Sequence, residues 1–285
     1  MLMAVAPAPS ALRTRIEADG YVLVPGVVPR ANVEAVVTDL FAHVGADPAD
    51  RESWYQDEHI GSAGMVEMYH YQSMWSNRQH PALHAAFAEV LGTDRLWVTL
   101  DRCNLKPPAD ARHPKFDFKG MMHWDTDIAR YPDLRFGVQG VLALSDTDET
   151  MGGFHCMPDL YRDLGPALER RRAAGEDVRR PDASRYAVVK VPARAGDLII
   201  WSTLLAHGNG ENRSERPRLA QYISMHPARD DDAAACEHRV NLWRNNLPPS
   251  GKAFPGDPRR IEEQRTQPAE LTPLGRRLIG LDRWG

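Results

Sequence analysis

The chain has 285 residues, enough for one sizeable core, and 35 Lys and Arg are set against 39 Asp and Glu, a net charge of −4. With a pI near 6.3, nothing in the charge speaks for nucleic acid or an anionic membrane as partner. Three scattered cysteines give no zinc spacing and no disulfide framework, which fits a cytoplasmic protein, and no apolar run reaches the length of a membrane span.

In chain order, residues 1–9 read as a disordered tail, being Ala- and Pro-rich without a basic start. Residues 10–19 read as a helix stopped by Gly20, and 21–25 as a short strand. From Pro29, Val33, Val36, Val37, Leu40, Phe41 and Val44 recur at helical spacing. Residues 51–77 are aromatic-rich and without a clean period, an irregular layer over the core or the wall of a substrate pocket. Pro81 opens a further helix and Gly92 ends it. Residues 96–105 alternate as one long strand. Residues 134–144, 186–191, 197–201 and 219–225 read as further strands, and 158–175 as a helix. The basic runs at 169–172 and 179–180 are expected to be solvated surface. After Pro227 no strand pattern remains, and a short helix is expected at 271–278. Strands that do not alternate regularly with helices argue against a doubly wound fold and for a β-sandwich or barrel braced by helices. Residues 1–285 are expected to form a single domain, with 227–285 as an extension packing on it.

The stretch Met121-Met122-His123-Trp124-Asp125 carries the chemistry. In an extended segment, residues two apart point the same way, so His123 and Asp125 present an imidazole and a carboxylate together. A second stretch, 196–209, runs as an apolar strand up to His207. Two histidines and one carboxylate, with positions left open, form the ligand set of non-haem Fe(II) oxygenases. Eleven positions beyond His207, Arg218 opens a returning strand. Its planar fork matches a carboxylate, whereas Arg213 and Arg216 lie in the connecting loop and are expected to be exposed. His155 and His226 are the other histidines to watch, and Trp124 is expected to pack.

His123-x-Asp125, His207 and Arg218 resemble the phytanoyl-CoA dioxygenase-like family of Fe(II)/2-oxoglutarate dioxygenases, over about residues 19–225. The resemblance implies a mainly β fold with flanking helices around a double-stranded β-helix, the cupin-like jelly roll. It implies Fe(II) held by His123, Asp125 and His207, and 2-oxoglutarate held by Arg218. By analogy of strand position, Thr99, Asn104 and Gln139 join the 2-oxoglutarate contacts. Gly152-Gly153-Phe154-His155-Cys156-Met157-Pro158 looks like the family's loop over the site, but Asp159-Leu160 replaces its usual Gly-Ser. The implied reaction consumes O2, releases succinate and CO2, and hydroxylates an unactivated C–H of a small-molecule metabolite. Rival readings are a cupin-like hydrolase or isomerase without 2-oxoglutarate, and a non-catalytic small-molecule-binding protein.

Overall fold

The computed structural model describes residues 11–56 and 58–285; the expected tail lies outside them. The helices are α1 (Ala11–Asp19), α2 (Arg30–Val44), α3 (Gln72–Arg78), α4 (Pro81–Leu91), α5 (Pro158–Arg162), α6 (Leu164–Ala173), α7 (Ala233–Arg244) and α8 (Pro273–Ile279). The strands are β1 (Tyr21–Val24), β2 (Met65–Val66), β3 (Leu96–Val98), β4 (Cys103–Lys106), β5 (Val138–Ala143) and β6 (Phe154–Cys156). They continue with β7 (Val189–Lys190), β8 (Leu198–Ser202), β9 (His207–Asn209), β10 (Arg218–Tyr222) and β11 (Met225–Pro227).

All strand pairing is antiparallel. A six-stranded sheet runs β1-β8-β5-β10-β4-β2, a three-stranded sheet runs β7-β6-β9, and β3 pairs with β11. Side chains alternate across the large sheet, so each strand feeds two cores. On one face Leu142, Leu198, Ile200 and Leu219 join α1–α4 in the main apolar core. Gly140 belongs to that face, where a Cβ would press on the Phe87 ring of α4, so glycine lets the helix layer sit down on the sheet. On the other face Val141, Ala143, Ile199, Trp201 and Ala220 meet Phe154 and Cys156 of the small sheet. The molecule is thus layered as helices, large sheet, small sheet. The C-terminal segment adds Leu242, Ala269, Leu278 and Ile279 to the helix-side core.

The strands are short, and helical residues outnumber strand residues among those described, so the expectation of a mainly β chain is corrected to mixed helix and sheet. Three expected elements also divide. The strand predicted over 96–105 breaks into β3 and β4, which belong to different sheets. The strand over 219–225 breaks likewise into β10 and β11, and at the break Thr99 N donates to Ser224 O while Ser224 N donates to Thr99 Oγ1. The helix over 158–175 breaks at Asp163 into α5 and α6. Helix α7 was not foreseen: its mixed Ala, Cys, Glu, His and Arg face has no apolar stripe, and its one local signal is Asp232, which caps Ala235 N at 3.0 Å.

Candidate metal centre and buried cation

The segment carrying His123 lies against the small sheet. His123 N donates to His207 O at 2.9 Å and His207 N to His123 O at 3.0 Å, a two-residue antiparallel bridge. Close approach needs bare backbone on both sides. A Cβ on Gly208 would collide with the Met121 carbonyl, and one on Gly120, at φ +85°, with the Asn209 carbonyl.

This bridge brings the two imidazoles together, with ring centroids 4.8 Å apart, and Asp125 between them. Its carboxylate lies 3.2 Å from His123 Nε2 through Oδ1 and 3.4 Å from His207 Nε2 through Oδ2. One ligand atom from each residue falls within 4.8 Å of the others, a set able to hold a metal ion. The other ring nitrogens decide the tautomer. His123 Nδ1 is 3.0 Å from Met121 O, and His207 Nδ1 is 3.0 Å from Leu205 O. A carbonyl only accepts, so each Nδ1 carries the hydrogen and each Nε2 turns its lone pair toward Asp125 and the ion position. The Asp125 carboxyl is held far below the ordinary carboxylate range, first by His123, then by His207, against the opposing effect of burial. The bond that the protonated His123 ring, with a hydrogen on Nε2, would give Asp125 raises the pKa of His123.

Gln139, on β5, donates from Nε2 to Asp125 Oδ2 at 2.7 Å and accepts from Trp201 Nε1 at 3.1 Å. The Trp201–Gln139–Asp125 chain fixes which way the carboxylate turns. Gln139 therefore touches the carboxylate ligand, where family analogy had put it on the cosubstrate. The triad opens into a cavity of about 200 Å³ whose walls include Met65, Asp101, Gln139, Tyr222 and Ser224.

Arg218 lies deeper, at the start of β10 and opposite Lys106 of β4. Like Ala220, it points between the two sheets. It is 3 % exposed, and its Nε and Nη2 have no hydrogen-bond partner. Burial pushes its pKa down, as expected of an uncompensated cation. The cleft around Arg218 shares Val141, Phe154 and Asn209 with the wall of the triad cavity, so the two spaces are neighbours separated by those side chains. Arg213 and Arg216 are exposed, as expected from the loop.

Lys106 is a second buried cation that sequence reasoning missed. Its Nζ donates to Phe118 O at 2.7 Å and to Gly210 O. Burial first, and Arg218 second, lower its pKa to about 8. Both of its bonds hold the segments that flank the triad, so its visible work is to pin them. His155 lies over Gly210, and burial together with Lys190, Arg218 and Lys106 pushes its pKa down to about 4.

The structure places the remaining predicted residues elsewhere. Thr99 Oγ1 accepts from Ser224 N at 3.0 Å, and Asn104 Nδ2 donates to Ala63 O at 2.9 Å; neither lines the cavity or the cleft. Both were expected there by family analogy; Thr99 lies in the break between β3 and β4, and Asn104 in β4 itself. His226 stands edge-on to Trp97, outside both spaces. Trp124 packs, donating to Leu204 O at 2.9 Å. The segment 51–77 is mostly core layer, with Trp54, Tyr55, Met68 and Trp75 buried, while Met65 reaches the cavity wall.

A sandwich of antiparallel sheets with a His-Asp-His cluster between them defines a class, the metal-binding β-sandwich proteins. Within that class, the family model described as phytanoyl-CoA dioxygenase (PhyH) matches residues 16–220, most of the chain, and the protein belongs to that family. A putative phytanoyl-CoA dioxygenase of Dictyostelium discoideum is 20% identical over 83% of this chain and 81% of its own length. Among solved structures, the epimerase SnoN in complex with Fe3+, alpha ketoglutarate and nogalamycin RO is similar at TM-score 0.54, with 19% identity, 92% of this chain and 94% of that one. EctD from S. alaskensis, with 2-oxoglutarate and 5-hydroxyectoine, is similar at TM-score 0.52, with 18% identity, 79% of this chain and 78% of that one. Among the described residues no helix is long and apolar enough to cross a membrane.

Proposed function

We propose that the protein is an Fe(II)- and 2-oxoglutarate-dependent dioxygenase that hydroxylates an unactivated C–H of a small-molecule metabolite, using O2 and releasing succinate and CO2. The observation that carries this reading is Arg218, a fully buried guanidinium with two unpartnered nitrogens in a cleft that shares Val141, Phe154 and Asn209 with the triad cavity. An unpaired buried cation is expensive, and a protein that gains nothing from it would replace it with an apolar residue. A dianionic cosubstrate, its far carboxylate held by Arg218, would offset the cost.

The donor set fits the metal. Two neutral imidazoles and one carboxylate suit Fe(II) and leave positions open. His123, Asp125 and His207 would hold the ion, and Asp125 would offset part of its charge. Bound iron with 2-oxoglutarate supplies the oxidising power for the C–H bond. The chain's own residues do the rest. Met121 O and Leu205 O hold both imidazoles in the ligating tautomer. Gln139 and Trp201 orient Asp125. Arg218 takes the far carboxylate of 2-oxoglutarate in a charge-assisted pair. Phe154, Val141 and Trp201 keep the space around it apolar.

We take the two facing sheets as the double-stranded β-helix of this class, in a single domain that includes the 227–285 extension. The free thiols Cys103, Cys156 and Cys236 support a cytoplasmic setting. A cupin-like hydrolase or isomerase would use the same triad but give Arg218 no task. Loss of the triad's function would be the mark of a pure binding protein, and all three ligands are present. The test is stoichiometric Fe(II) binding followed by 2-oxoglutarate-dependent succinate formation. Iron binding without any 2-oxoglutarate affinity would transfer the case to the hydrolase or isomerase.

A further inference from the structure

The cavity above the triad carries a second carboxylate, Asp101, on the crossover between β3 and β4. It is a well-fixed group. Its Oδ1 accepts from Arg102 N at 2.7 Å, and its backbone carbonyl accepts from Arg78 Nη2 at 2.6 Å. Among the described residues its Oδ2 takes no hydrogen bond, although the cavity wall is where it sits.

The neighbouring cation only partly neutralises it. Arg102 Nε stands 3.7 Å from Asp101 Oδ1, while Arg102 Nη1 donates to Glu67 Oε1 at 2.8 Å and to Ala253 O at 2.6 Å. The guanidinium also lies 4.6 Å over the Phe254 ring. Glu67 is itself fully used, since Oε2 accepts from Tyr69 OH and from Gly256 N at 3.1 Å. The charge of Arg102, which also lines the cavity, is shared between Glu67 at 2.8 Å and Asp101 at 3.7 Å, and Asp101 keeps Oδ2 without a hydrogen bond. The Asp101 carboxyl is pushed up by burial, with Asp125 across the cavity adding to the effect. A cationic group in the cavity would reverse both effects.

We propose that Asp101 is the specificity-determining residue of the substrate pocket and that the primary substrate carries a protonated amine, which Asp101 Oδ2 receives above the metal position. This rests on the oxygenase reading of the same site. Two alternatives are set aside by the geometry. A substrate carboxylate would meet Asp101 as a like charge. A wholly apolar substrate would bury Asp101 without a hydrogen bond on Oδ2. A zwitterion would still give its amine to Asp101, with the bare Nε of Arg102 on the same wall for its carboxylate. Other groups in the molecule carry less: the Arg170, Arg171, Arg180 and Arg185 wall near Trp124 also contains Glu176 and Asp182, which offset half of its charge.

The experiment separates this from the oxygenase reading. Fe(II) stoichiometry and 2-oxoglutarate affinity of the wild-type protein are measured first, and failure there sinks the oxygenase reading. Matched small scaffolds, each as the alkylammonium, the alcohol and the carboxylate, are then titrated calorimetrically into protein loaded with Fe(II) and 2-oxoglutarate without O2. The ammonium member should bind at least tenfold tighter than its alcohol partner, with the carboxylate weakest. In D101N, which keeps size and shape, that preference should collapse to within about twofold while alcohol binding holds. Equal binding of ammonium and alcohol by the wild type, binding of no ammonium member, or a preference for carboxylates overturns the proposal, and the wild-type panel stands even if D101N fails to fold. An undiminished ammonium preference in folded D101N overturns it as well.

Discussion

The two faces of the large sheet make opposite use of the same strands. On the helix side, Asn77 donates to Gln221 and Glu262 accepts from the backbone of Tyr69 and His70, while Asn77 Oδ1, Arg78 Nε and Trp75 Nε1 find no partner among the described residues inside packed core. On the small-sheet side, Arg218 Nε and Nη2 are also without a partner, but they line a cleft, and Asp101 lines the cavity of the triad. The difference between the faces is thus open space beside charge, not the number of bare atoms. An unpartnered buried charge such as Arg218 is costly for stability.

The sharpest way to break this contrast is at the triad. His207→Ala or His123→Ala should abolish stoichiometric Fe(II) binding and turnover, measured by iron analysis and succinate release, while thermal unfolding changes little. Full iron loading of either variant would mean the triad is not the centre. On the helix face the reverse holds. Phe87 is fully buried against Gly140, so Phe87→Ala should cost about 3–5 kcal/mol in denaturant unfolding and leave the iron affinity of the folded fraction unchanged.

A pH titration sharpens the same division. His43 of α2 is 2 % exposed, and burial pushes its pKa down to about 4, Asp257 opposing. Its folded-state pKa is below the ordinary value of about 6.5, so the native state prefers the neutral ring. The stability this represents is fully present above pH ~6.5 and is lost as pH falls toward ~4, to a total of about 3 kcal/mol. His43→Gln should flatten the acid limb of the stability curve in that window; an unaltered limb would show that other groups set it.

Arg218 tests whether instability and binding are one property. Arg218→Ala should weaken 2-oxoglutarate at least tenfold, the equivalent of about 1.4 kcal/mol, with iron loading intact. Arg218→Lys, which keeps charge but loses the fork, should fall between. Arg213→Ala and Arg216→Ala should match the wild type, and a larger effect from either would reassign the cosubstrate cation. The smallest and most telling effect is Arg218→Met, which removes the unpaired charge at similar volume. It should raise the unfolding midpoint while losing 2-oxoglutarate binding. A lower midpoint would show that the guanidinium is already paired in the free protein.

Much of the site could be read from the sequence because its parts are local. His123 and Asp125 need only an extended backbone to share a side, and His207 and Arg218 need only a strand, a loop and a return. Their meeting is shown by the bridge between His123 and His207. Thr99 and Asn104 were placed by analogy of strand position with the family, and the structure gives them other partners, Thr99 on a crossover between sheets and Asn104 on the strand after it. Lys106, Gly120 and Gly208 carried no local signal at all, because their importance lies in what comes near them from remote parts of the chain.

By itself the sequence determined the ligand types, the order of helices and strands, and the apolar faces, since side-chain chemistry and the periods of helix and strand are properties of neighbouring residues. The tertiary structure alone decided which residue orients Asp125, which cation remains unpaired, and that Asp101 looks into the cavity above the triad. Those facts depend on sheet register and on which segments a crossover brings together, and a register is fixed only when both sheets have packed.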